Sequence, residues 1–184
     1  MIDSADIKER GTSLLGYAMH YGAFLGLFWM FKYLFKIGAG FSDHVFIYVF
    51  YLLNVGTFLL IYIFTFKYKE SEPDKPKGLW SCVFFVLLIC FFASFFEAAI
   101  MYAHYTFVNP GAFVKMSAPF IEMVNKMPNL QAGQKEIFLY IVTGKPLYII
   151  SAFIGNMVLG VVLGFLMSFL VNSTNNRSTG GLDR

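Results

Sequence analysis

Polar and apolar residues separate along this chain into long blocks instead of alternating with a short period. Four stretches, residues 11–35, 45–66, 80–107 and 147–171, are apolar on nearly every side, and the charged residues gather between them. Each is long enough to cross a hydrocarbon layer of about 30 Å, which takes about 20 helical residues. Helix is the expected state, because backbone groups inside a bilayer must find partners within their own segment, and a spanning strand would show about ten alternating residues. Lys32 and Lys36 close the first block, and Pro146 stands in the first turn of the fourth, where its missing N–H is not needed. The pattern predicts an all-α, polytopic membrane protein with a single four-helix transmembrane domain over residues 11–171.

The connection between the third and fourth blocks, residues 108–146, has a different pattern. Asn109-Pro110-Gly111 is a turn signal that ends the third span. Phe113, Phe120, Val124 and Met127 then recur near a helical period while Lys115, Glu122 and Lys126 fall elsewhere on the wheel, which predicts an amphipathic interfacial helix. Pro128 stops it, and Gln134–Thr143 forms a second short helix capped by Gly144. The segment is a cover on the outer leaflet or, more specifically, a lid or docking surface over an outward-facing cavity. Residues 1–10 form a polar N-terminus, and residues 172–184, NSTNNRSTGGLDR, are expected to be a disordered tail.

Composition agrees with the blocks. Hydrophobic residues make up 58% of the chain and charged residues 14%, against roughly 45–50% and about 25% in soluble domains, so much of the apolar surface must face lipid. The first block reads as a retained helix and not as a cleaved leader, since Asp3, Asp6 and Glu9 mix with Lys8 and Arg10, the apolar run is long, and His20 interrupts it. Four lysines crowd the eleven residues KYKESEPDKPK between the second and third spans, whereas those of the third connection are spread thinly. Short loops near span ends weigh most in setting orientation, so this loop and both termini are expected on the cytoplasmic side of a bacterial inner, or plasma, membrane. Lysines near anionic headgroups also account for the net charge of +3 without a nucleic-acid partner.

Catalytic signatures are absent. His20, His44 and His104 form no HExxH or CxxC-type set, and no glycine-rich phosphate loop, GxSxG or acidic pair is present. Cys82 and Cys90 lie eight residues apart on one helix, about 12 Å along its axis, beyond disulfide reach. The chain is therefore not expected to be an enzyme or to carry a metal or other cofactor. What the spans do offer is packing. Ala18, Gly22 and Gly26 recur every four residues in the first, as do Ala152, Asn156, Gly160, Gly164 and Ser168 in the fourth. Small residues let helices approach closely in lipid, so the first and fourth spans are expected to cross tightly, or one ridge to serve a homodimer.

Four aromatic-rich spans, a third span that leaves the membrane through FVNP at Phe107–Pro110, the long amphipathic connection and the glycine-ridged last span resemble the domain of unknown function 4199 family of small bacterial membrane proteins. The resemblance covers residues 11–171. It implies the same architecture and brings no catalytic residue.

One acid stands within an apolar run: Glu97, in FFASFFEAAIMYAH. Cys90, Ala93, Ser94, Met101 and His104 share its helical face, so that face should turn into the bundle. Glu97 falls at a depth close to Asn54 of the second span and Asn156 of the fourth, and an ionised carboxylate in hydrocarbon is costly. The expected arrangement is a protonated Glu97 donating to Asn54 or Asn156, with His104 and Tyr105 on the way in from outside. As structure this is a clasp between helices; as function it is a proton or substrate site. Two roles follow: a non-catalytic accessory or scaffold subunit resting on a membrane-protein partner, which small size and missing motifs favour, or a small oligomeric transporter or channel that uses the Glu97/Asn54/Asn156 cluster. A reporter fused near Asp74 should behave as cytoplasmic and one near Gln131 as external; the reverse pattern would overturn the orientation.

Overall fold

In the computed structural model, residues 4–40, 44–71, 77–128 and 130–179 are described. Six α-helices account for most of them: α1 (Ser4–Ala39), α2 (His44–Glu70), α3 (Leu79–Ala103), α4 (Pro110–Lys126), α5 (Ala132–Thr143) and α6 (Lys145–Thr179). A π-helical turn, His104–Val108, extends α3. Four of these segments, Leu14–Ala39, Val45–Glu70, Leu79–Val108 and Lys145–Val171, are long and apolar enough to cross a membrane. The protein is all-α and polytopic. Most of the lysine-rich loop, residues 72–76, and the last five residues lie outside the described part.

Two boundaries differ from the pattern. α1 begins at Ser4, so the polar N-terminal residues are already helical, and α6 runs on to Thr179 where a disordered tail was expected from residue 172. A helix that leaves the membrane has no reason to stop at the interface, and no Gly or Pro occurs between Val171 and Gly180.

The bundle is organised around α3, the most buried span. α1 packs along one side of it and α6 along the other, whereas α2, the least buried span, leans mainly on α1 and touches α3 and α6 lightly. The expected crossing of the first and fourth spans is therefore not what the chain builds, because α3 lies between them. Both small-residue ridges face α3: a methyl group at Gly22 would stand 2.6 Å from Cβ of Phe92 and 3.1 Å from the Ile89 carbonyl, and one at Gly164 3.1 Å from the Val83 backbone. Gly26 lies under the Phe96 side chain and Gly160 against Cys90, while Ala18 is fully buried. The ridge of α1 receives the Phe92 and Phe96 side chains of α3, whereas that of α6 lets its backbone approach the α3 backbone at Val83 and Leu87 beside the small Cys90.

On the side of the bundle carrying α4 and α5, α3 ends in the π turn, closed by the Asn109 N–H donating to the His104 carbonyl at 2.8 Å. Asn109 also caps α4, its side-chain oxygen accepting from the Ala112 N–H at 3.1 Å. Phe113, Ser117 and Val124 of α4 turn inward, whereas Val114, Phe120, Met123 and Met127 stay exposed. The apolar residues of α4 are thus divided between the bundle and its surroundings, and the expected face of Phe113, Phe120, Val124 and Met127 is split, Phe113 and Val124 turning inward while Phe120 and Met127 stay exposed.

If the ridges set the helix spacing, Gly22→Ala should destabilise the bundle by about 1–3 kcal/mol through overpacking against α3. Gly16→Ala, with no atom within 4 Å of the added methyl, should be neutral or slightly stabilising. Unfolding of the two variants in detergent micelles compares them directly, and equal effects would contradict this packing.

Candidate functional site

A cavity of about 250 Å³ lies where α2 and α6 fail to close over α3, and all four spans contribute to its wall. α1 brings Trp29 and Lys32, α2 brings Asn54 and Thr57, α3 brings Glu97 and α6 brings Asn156. Lys32 lies 7 residues before Ala39, Asn54 9 after Val45, Glu97 11 before Val108 and Asn156 11 after Lys145. At about 1.5 Å per residue these are distances of about 10–17 Å from the ends of the apolar segments, all on one side of the bundle.

Helical spacing puts each of these groups inside. Ala18, Gly22, Leu25, Trp29 and Lys32 recur at intervals of four, three, four and three, so Lys32 continues the stripe with which α1 meets α3. Asn54, Thr57, Ile61, Phe64 and Tyr68 do the same on α2. Lys32 is only 8% exposed. Its ammonium donates to Oδ1 of Asn54 at 2.9 Å and lies over the Trp29 and Phe50 rings, 5.7 and 5.4 Å from their centroids. The Asn54 amide is oriented by its own helix, Nδ2 donating to the Phe50 carbonyl at 3.0 Å. Opposite in charge, Glu97 accepts a 2.6 Å hydrogen bond from Nδ2 of Asn156.

The two charges share the cavity without joining. Among the described residues the ion pair within 4.0 Å is Lys126 with Glu122 on α4, so Lys32 and Glu97 each meet an asparagine instead of each other. A charged side chain at the bilayer centre costs about 3 kcal/mol, while an interhelical hydrogen bond in a membrane returns about 0.6 kcal/mol on average. A clasp between helices would be served better by uncharged partners.

Glu97, Asn54 and Asn156 are thus brought to one cavity, and Glu97 meets Asn156, one of the two partners the sequence suggested. Asn156 donates and Glu97 accepts, and Asn54 serves Lys32 instead of the acid. Sequence reasoning missed Lys32, whose place near the end of an apolar block resembles a lysine reaching for the interface. Its register on the buried stripe was the signal that could have found it. His104 is elsewhere: its Nδ1 lies 3.1 Å from the Tyr33 hydroxyl, and its ring stacks on Tyr105. Tyr105 in turn packs edge-on against Phe113 of α4 and Tyr148 of α6, so the way in past His104 and Tyr105 is filled with rings. His20 is exposed on the lipid side of α1. Cys82 and Cys90 are buried free thiols.

The profile of a family described as Protein of unknown function (DUF4199) matches residues 20–173. The match takes in most of the first span, the other three spans and every polar residue of the cavity, and the chain belongs to this family. Comparisons with curated proteins and with solved structures returned no match.

If Lys32 and Glu97 compensate one another across the cavity, removing either charge strands the other. The double variant Lys32→Met/Glu97→Gln should then be more stable than the sum of the single effects predicts, with a coupling of about 0.5–3 kcal/mol. A double-mutant cycle in micelles measures it; strict additivity would mean that the two charges are independent.

Proposed function

We propose that this multi-pass membrane protein, whose family has no assigned activity, binds a small polar solute inside the bilayer and acts as a small transporter. One observation carries the reading: charged and amide side chains from all four apolar spans converge on one cavity between them. Ionisable residues within membrane spans are expensive, face interiors and mark solute or proton pathways. An apolar cavity of about 150 Å³ takes up benzene, so about 250 Å³ has room for a solute of about ten non-hydrogen atoms.

The accessory-subunit reading has less to draw on. It rested on small size, missing motifs and glycine ridges that could receive a partner, and both ridges are occupied by α3 within the chain. The α4–α5 segment serves as a fixed cover on its side of the bundle, where Phe113 seals the rings of Tyr105 and Tyr148. The lysine density supports an orientation with that side outside and both termini in the cytoplasm.

The test is a thermal-stability screen of the purified full chain in nanodiscs against small anions, cations, zwitterions and neutral polyols. At least one class should raise the midpoint, since a ligand at about 100 times its Kd adds about 2.7 kcal/mol, and Lys32→Met should abolish the response. A flat screen, or a membrane protein that co-purifies in equal amount, would return the chain to the accessory-subunit reading.

A further inference from the structure

The polar groups of the cavity are sorted by wall. On the α1–α2 side, Nε1 of Trp29 and Oγ1 of Thr57 are buried and have no hydrogen-bond partner, in residues that are 2% and 5% exposed. Buried donors are rarely left unmade, because each costs about 1–3 kcal/mol. Lys32 adds an ammonium with three protons, of which the Asn54 oxygen takes one. On the α3–α6 side stands Glu97, with one oxygen held by Asn156. Its other oxygen accepts from no side chain among the described residues. One wall is therefore a donor-rich, cationic surface and the other an acceptor, with no direct bridge between them.

Building on the solute-binding reading above, we propose that the cavity takes a small zwitterion of the α-amino-acid type. Its carboxylate lies against Lys32, Trp29 and Thr57, and its ammonium against Glu97. A lone anion would meet the Glu97 carboxylate and a lone cation would meet Lys32; a molecule carrying both charges satisfies both walls and leaves the pocket neutral. The rest of the lining is apolar, Phe50, Phe58, Leu159 and Leu163, and suits an aliphatic side chain. Phe58 and Leu159 are 44% and 41% exposed, so the gap between α2 and α6 leaves the cavity beside the outer surface of the bundle.

Calorimetry on the full chain in nanodiscs, with glycine, leucine and tryptophan as probes and with leucinamide and 4-methylpentanoate as single-charge analogues no larger than leucine, tests this. Leucine should bind at least tenfold tighter than either analogue, and tryptophan, too large for the space, should not bind. Glu97→Gln should erase the preference over 4-methylpentanoate, and Lys32→Met the preference over leucinamide. Thr57→Val should leave the empty protein as stable as before, or more so, while weakening leucine several-fold, which separates a binding role from a structural one. Analogues that bind as tightly as leucine would overturn the zwitterion and leave solute binding in place. Absence of binding by every zwitterion, with a response to another class in the stability screen, would do the same; silence in both would sink both readings.

Discussion

No hydrophobic force draws one apolar helix to another in a bilayer, where lipid tails are as apolar as leucine. What holds this bundle is close approach, and close approach depends on α3 being received on both sides by residues without bulk. Gly22 and Gly26 accept Phe92 and Phe96 from one direction, and Gly160 and Gly164 accept Cys90 and Val83 from the other. Ser94 spends its hydroxyl on the Cys90 carbonyl of its own helix at 2.7 Å, and Ser168 of α6 reaches the Leu79 carbonyl at the start of α3 at 3.2 Å.

That clamp leaves α2 with little to grip. It has no glycine ridge against α3 and is held mainly by α1, through aromatic packing such as Tyr21 with Phe64. The seam between α2 and α6 therefore stays open at mid-depth, and the intramembrane charges lie along it. A cavity lined by Lys32, Glu97 and two asparagines follows from an uneven bundle: three helices fixed by backbone contact and a fourth laid across them.

How much of this was legible in the sequence depended on which physical rule applied. The four spans could be read directly, because the cost of unpaired backbone in hydrocarbon admits few alternatives. The common depth of Glu97, Asn54 and Asn156 followed from counting residues, since helical rise converts position into height. Partner choice did not follow. Two small-residue ridges look complementary on paper, yet both pack on α3, one under phenylalanine side chains and the other against its backbone, and nothing in the ridges themselves records that. Lys32 was legible in its helical register but obscured by its position four residues before Lys36, where lysines commonly reach for headgroups. The helical extension to Thr179 was hidden by polar composition, which argues against a core but does not prevent a helix from continuing.

Lys32 and Tyr33 are consecutive, and their side chains serve different places. Lys32 enters the cavity, while the Tyr33 hydroxyl meets His104 at the first residue of the π turn. A π turn widens the helix by one residue and re-aims the side chains that follow it; here it sets His104 toward Tyr33 and Tyr105 under Phe113. The register of α1 must satisfy both neighbours at once. A rotation of α1 that withdrew Lys32 from Asn54 would also pull Tyr33 from His104 and open the ring cluster beneath α4. The cover and the polar cavity are therefore held by the same turn of the same helix, and the geometry of one fixes that of the other.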